Sequence, residues 1–253
     1  MKDYNNMSKK EKFSIPLFVS ASILVLVFLF VFYCLASMSL TEKFFNDNFA
    51  KDARVDKVYL NNDYKNDDPF MTKNPDLKDM LSGPIISKSD PSLGVVQAPV
   101  TLVIFSDFQC GICHKQETVL KQILEKYKDR VRLIWKDYPE SKTSSNSFQA
   151  SLAGRCANEQ GKFWEYHDLL FANSSQLNND KFIELAKGLN LNEGKFDNCL
   201  KTLKYQKEVN DNIVEANALD ITGVPFLYVN DQEVLGEINI DDLSKMVERE
   251  LEK

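Results

Sequence analysis

Cys110 and Cys113 are the residues whose type and spacing most directly permit chemistry. They stand in the stretch Cys110-Gly111-Ile112-Cys113, where a β-branched apolar run gives way to helical spacing. Two thiols separated by two residues can close a small disulfide ring across a first helical turn. A sulfur at that point faces unpaired backbone N–H groups and the positive end of the helix macrodipole. Both favour the thiolate, which is the nucleophile of thiol–disulfide exchange. Cys110 is therefore expected to be the exposed attacking sulfur. Cys113, one turn deeper and on the apolar face, is expected to be the resolving one. The competing reading is half of a zinc site, which would need two more ligands close by. His114 leaves the helix on a different bearing from Cys113, and a C-x-x-C between a strand and its helix favours redox chemistry. No metal and no cofactor is expected.

The elements that must hold this pair are legible from periodicity. Ile85-Ile86-Ser87 reads as a short strand and DPSLG (90–94) as a turn. PVTLVIF (99–105) reads as a buried strand, the stretch 110–130 as a helix, and VRLIW (131–135) as a second strand. That unit favours a parallel βαβ pairing. From about 144 to 220 the signal is helical, with 196–219 reading as one long helix. ITGVPFLYVN and EVLG then read as strands around an NDQ turn. A last helix at about 240–252 aligns Ile240, Leu243, Met246, Val247 and Leu251. The order implies an α/β fold whose sheet is interrupted by a helical insertion at about 140–220.

The net charge of −6 and the lack of any basic block argue against nucleic acid as a partner. Residues 13–41 carry no charge, and that run exceeds the roughly 20 residues needed to span a bilayer. Residues 1–40 are thus expected to be a cytoplasmic tip and transmembrane anchor, with a cleavable signal as the second choice. Lysines and arginines flank the run on both sides, so the positive-inside rule does not orient it. Residues 41–84, rich in Asn, Asp and Lys, read as a polar stalk, and residues 85–253 as the folded domain.

Three motifs in sequence order carry a family resemblance. DPSLGVVQAPVTLVIFSDFQCGICHKQETVLKQILEK (90–126), RCANEQGKFWEYHDLLF (155–171) and ITGVPFLYVNDQEVLG (221–236) are similar to the DsbA-type thiol–disulfide oxidoreductases of the thioredoxin superfamily. The resemblance covers roughly 85–253. It implies a thioredoxin fold with a helical insertion between its βαβ and ββα halves. It also implies a dithiol oxidase that introduces disulfides into cysteine-containing secreted or periplasmic proteins. A membrane redox partner would recharge it, and the catalytic domain would lie in the periplasm or exterior. A disulfide reductase or isomerase on the same scaffold is the alternative within that chemistry. From a different class, the alternative is a tethered substrate-binding or chaperone module.

Carried over by motif, Cys110 matches the family's nucleophile and Cys113 its resolving cysteine. Val224-Pro225 matches the loop whose cis-proline faces the pair and holds extended substrate; otherwise it is an ordinary turn opening an edge strand. Two departures stand out. Relatives often carry an acidic residue six positions before the first cysteine, where this chain has Ile104. The intervening dipeptide is Gly-Ile, without the histidine of strongly oxidising relatives, which implies a weaker thiolate. Asp107 and His114 are the candidate modulators; the alternatives are a loop carboxylate and an exposed histidine. Some members of the family carry cysteines at the places of Cys156 and Cys199. The resemblance therefore implies a structural disulfide between them, worth roughly 2–4 kcal/mol; two unpaired buried thiols is the other reading. His167, among Phe163, Trp164 and Tyr166, is expected to pack between helices.

Overall fold

The computed structural model describes residues 77–253. The expected anchor, and the stalk up to residue 76, lie outside the described residues. Among the described residues no helix is long and apolar enough to cross a membrane. Residues 77–84, read as the end of a stalk, are packed on the domain. Leu77–Met80 forms a short helix (α1), Gly83 and Pro84 are buried, and Lys78 pairs with Asp220 at 2.6 Å.

The described residues form a five-stranded mixed sheet in the order β1-β3-β2-β4-β5. At its centre β2 (Val100–Ser106) runs parallel to β3 (Val131–Asp137), joined by helix α2 (Gly111–Tyr127). Every residue of both strands is buried, which the apolar run of β2 anticipates, whereas β3 also buries the charged Arg132, Lys136 and Asp137. Strand β4 (Phe226–Val229) lies antiparallel to β2, and β5 (Gln232–Leu235) antiparallel to β4. Asn230 turns the β4–β5 hairpin in the left-handed region, with φ 50°.

Between β3 and β4 the chain forms α3 (Asn146–Asn158), α4 (Phe163–Ala172), α5 (Asn179–Gly188), α6 (Glu193–Lys201) and α7 (Gln206–Ala218). Helix α8 (Ile240–Leu251) closes the chain. Side-chain caps start several of these helices: Ser145, Asn178, Asn192 and Asn239 each accept a bond from the N–H three residues on.

The sheet has two apolar faces. Val100, Leu102 and Ile104 point with Leu133, Trp135 and Leu227 toward α2, α8 and the helical insertion. Val103, Phe105, Ile134, Phe226 and Tyr228 point the other way, against Ile86, Ala216 and Ile221. Beside this second face lies a buried network of charges. Lys136 Nζ sits 2.8 Å from Asp90 and 3.0 Å from Glu215, while Arg155 Nε sits 2.6 Å from Asp137. Arg155 Nη2, 3.9 Å from Asp90, links the two halves, and Asn212 accepts from Arg155 and from the Asp137 N–H.

Two expectations are corrected. Ile85–Ser87 is no strand, because the Ile85 N–H donates to the Glu215 carboxylate, not to a neighbouring strand. The strand here is β1, Ser92–Leu93, inside the stretch read as a turn; it pairs antiparallel with β3. The helix expected at 196–219 breaks into α6 and α7. At the break Leu203 adopts φ 48°, Leu203 N–H donates to Leu200 and Lys204 N–H to Cys199. That paired bonding is a Schellman stop, which a non-glycine residue can adopt at some cost. Apolar periodicity runs through it and cannot reveal it.

Gly94 ends β1 with φ 101°, and a Cβ there would lie 2.7 Å from the Val131 carbonyl oxygen. Gly161, at φ 70°, has open space around it. Gly94→Ala is expected to destabilise the domain by about 1–3 kcal/mol, and more than Gly161→Ala. Denaturant midpoints of the two variants check this ordering.

Candidate active site

The site is built at the junction of β2 and α2. After Ser106 the chain turns through Asp107-Phe108-Gln109, with Asp107 Oδ1 accepting from the Gln109 N–H at 2.8 Å. The Asp107 carbonyl accepts from the Cys110 N–H at 3.1 Å. Such a local carboxylate bond offers the backbone a fixed turn. Phe108 anchors it from below, fully buried and stacked on Trp135 at 4.8 Å.

Cys110 occupies the N-cap of α2, its sulfur accepting from the Cys113 N–H at 3.1 Å. No acidic residue stands in the first turn of this helix, so nothing there opposes a negative sulfur. Cys110 and Cys113 are bonded to each other. Their surroundings differ sharply. Cys113 has no exposed surface, whereas Cys110 is partly open and Ile112 is 48% exposed.

The Val224–Pro225 peptide is cis, and the Val224 carbonyl oxygen lies 3.8 Å from the Cys110 sulfur. The turn is fixed on its other side by the Gly236 N–H, which donates to the Pro225 carbonyl at 2.8 Å. Leu235, 59% exposed, stands next to Gly223 of the same turn. Ile112, Val224 and Leu235 thus give the surroundings of Cys110 an apolar, solvent-facing character. Two surface cavities of about 370 and 510 Å³ occur among the described residues. Neither is lined by Cys110, Cys113 or the proline turn.

Asp107 is close to the pair through its backbone. Burial raises its carboxyl above the ordinary range, aided by the charges of Asp137 and Glu140 and opposed by bonds from Gln109 and Ser147. His114 is exposed and stacks on Phe171, ring centres 5.6 Å apart. Ile104 is fully buried in β2, so no carboxylate reaches the pair from that position. Cys156 on α3 and Cys199 on α6 are joined by a disulfide, both sulfur-bearing residues buried.

One pair near the site is foreshadowed by none of the motifs. Glu117, buried on α2 one turn beyond Cys113, lies 3.4 Å from Nε2 of His167 on α4. His167 packs between helices, as expected, among the rings of Phe108, Trp135, Phe163, Trp164 and Phe171. Burial opposes its charge, yet Glu117 and Asp168 together hold its pKa above the ordinary value. The signal available in sequence was the four-residue step from Cys113 to Glu117, which puts both on one helix face.

The thioredoxin family profile matches residues 87–249, more than half of the chain. The chain is 30% identical over 167 residues to the Na(+)/H(+) antiporter NhaA 3 of Salinispora tropica. That match takes in 66% of this chain and 26% of the antiporter, so the chain spans about a quarter of that relative's length. It is 28% identical over 189 residues to the probable disulfide bond formation protein D of Bacillus anthracis, covering 70% of this chain and 86% of that protein. Among solved structures, oxidised BdbD from Bacillus subtilis superposes with a TM-score of 0.61 at 22% identity. The superposition covers 66% of this chain and 95% of that one, and concerns the fold. With the profile running through the cysteine pair, the helical insertion and the cis-proline turn, the chain belongs to the thioredoxin family.

Proposed function

We propose that this protein is a dithiol oxidase that introduces disulfide bonds into cysteine-containing proteins outside the cytoplasm, through Cys110 and Cys113. One observation carries the reading. An accessible sulfur caps a helix N-terminus beside the Val224 carbonyl, and its partner sulfur is fully buried. A substrate thiolate attacks Cys110, the Cys110–Cys113 bond breaks, and the Cys113 sulfur leaves and takes up a proton. A second substrate thiolate then attacks the substrate sulfur of the mixed disulfide and expels the Cys110 thiolate. Two electrons pass from substrate to enzyme, and a membrane redox partner removes them.

In this reading Val224 and Pro225 hold an extended substrate, and the apolar surface at Ile112 and Leu235 adds contact area. Asp107 and His114 act as modulators, and the Cys156–Cys199 bond fastens α3 to α6 in the insertion. The name of the Bacillus anthracis relative, a probable disulfide bond formation protein, supports oxidation over reduction or isomerisation. Residues 1–40 serve as a membrane anchor and 41–84 as its stalk, the last turn of which (77–84) docks on the domain, placing residues 85–253 in the periplasm or exterior. The charge-free run at 13–41 supports this, as does the oxidising compartment that a structural disulfide requires.

The site's dipeptide sets the redox poise. Neither Gly111 nor Ile112 offers a donor to the Cys110 thiolate, and Ile112 limits its hydration. A weaker thiolate lowers the reduction potential, which is expected to fall between roughly −270 and −120 mV. Ile112→His should lower the Cys110 pKa and raise the potential, read by thiolate absorbance and by equilibration with glutathione. A wild-type Cys110 titrating near ~3.5 would sink the dipeptide account.

Cys110→Ser is expected to abolish insulin reduction, and Cys113→Ser to accumulate mixed disulfides with substrates. Non-reducing gels resolve the two, and adducts held on Cys113 in place of Cys110 would reverse the roles. An alkaline phosphatase fusion within the stalk is expected to be active in cells; an inactive one overturns the topology.

A further inference from the structure

Cys113 is a buried thiol with a proton to gain or lose in every catalytic cycle, and β2 supplies no carboxylate to handle it, because Ile104 stands there. A bare thiolate in an apolar pocket is unfavourable. The buried ionisable groups on that side of the domain include Glu117, one turn along α2 from Cys113, and His167. Cys113 and Glu117 are both buried on α2, four residues apart, a spacing that sets Cβ atoms about 5–6 Å from each other.

From Glu117 a chain of charged groups leads outward, its first step an ion-pair approach to a buried His167 Nε2 that makes no hydrogen bond. Glu117 Oε2 is 3.4 Å from His167 Nε2, His167 Nδ1 is 3.0 Å from Asp168 Oδ1, and Asp168 Oδ2 is 2.8 Å from Lys121 Nζ. His167 is 1% exposed, whereas the Asp168 side chain is 48% exposed, so the chain ends in solvent. The other surfaces against His167 are aromatic: Phe108 before α2, Trp135 on β3, and Phe163, Trp164 and Phe171 on α4. The next charges are Asp137 and Arg155 behind the Trp135 indole, which donates to Asp137, and exposed His114 behind Phe171. A purely packing role would be filled at lower cost by another aromatic ring, since a buried ionisable pair must overcome its desolvation.

We propose that Glu117 and His167 are positioning residues forming a buried proton reservoir for Cys113. The pair gives a proton to the departing Cys113 sulfur when a substrate dithiol reduces the enzyme. It takes that proton back when the disulfide re-forms, and Asp168 exchanges it with solvent. The electrons come from the substrate sulfurs, and one of the two protons those thiols release replaces the one supplied to Cys113. The proposal rests on Cys110–Cys113 being the redox pair, which the trapping variants test separately.

The test uses the full chain, which has only two histidines, with both rings isotopically labelled. Their titrations are followed by NMR in the oxidised and the dithiothreitol-reduced protein, with His114→Gln to assign the signals. If the reservoir is coupled to the sulfur, the His167 midpoint shifts by at least about half a pH unit between the two redox states. Reciprocity then requires the glutathione equilibrium to bend with pH where His167 titrates. Glu117→Gln and His167→Gln should lose that bend, and Glu117→Asp should retain it. An identical His167 midpoint in both redox states overturns the proposal without any variant having to fold. So does a bend that persists in Glu117→Gln. Normal thiol trapping with an uncoupled His167 rejects the reservoir alone, whereas absent trapping rejects the redox reading itself.

Discussion

The antiparallel pairing of β2 with β4 is the constraint on which the site depends. Its register sets Phe105 opposite Phe226, so the end of β2 and the beginning of β4 meet at one edge of the sheet. The end of β2 leads into the turn to Cys110, and Val224–Pro225 leads into β4. Two segments more than a hundred residues apart are thereby brought within 3.8 Å, with no direct bond needed between them. Because side chains alternate along a strand, a one-residue slip would turn Phe226 and Tyr228 off their face and Leu227 off the other. Burial of both faces therefore enforces the register.

The second sheet face is closed in an unusual way. Apolar contacts from Ile86, Ala216 and Ile221 are joined by three carboxylates and two cations, nearly all without exposed surface. Removing one member would leave an uncompensated buried charge, typically a loss of about 3–5 kcal/mol. These charges come from the segment before β1, from β3, α3 and α7, which lie far apart in sequence. Burial pushes the Glu215 carboxyl upward while Lys136 and the Ile85 N–H pull it down. The network specifies where the insertion rejoins the sheet; apolar packing alone would leave that placement less defined.

Much of this was legible in sequence because it is written in short-range patterns. The apolar runs of β2 and β3, the cysteine spacing at a helix start and the apolar stripe of α8 each follow from local periodicity. Residues set by distant partners were not legible. Ile85 looked like a strand residue until Glu215, 130 positions away, claimed its N–H. Leu203 looked like helix interior because a left-handed stop needs no glycine when the surrounding bonds hold it. His167 was correctly placed among aromatic rings, but the carboxylate of Glu117 facing it belongs to another helix. The three-dimensional meeting of α2 and α4 is what periodicity along either one cannot encode.

The Cys156–Cys199 bond has a consequence for the order in which the molecule is assembled. The two residues are 43 positions apart and, once folded, are 1% and 3% exposed. An oxidant cannot approach sulfurs sealed inside α3 and α6, so the bond must be made while the insertion is still open. A newly synthesised chain is then itself a client for oxidation, and its two cysteine pairs mature on different schedules. Cys110, by contrast, keeps part of its surface open in the folded domain. Cys156 and Cys199, once joined, are closed off from solvent inside the insertion.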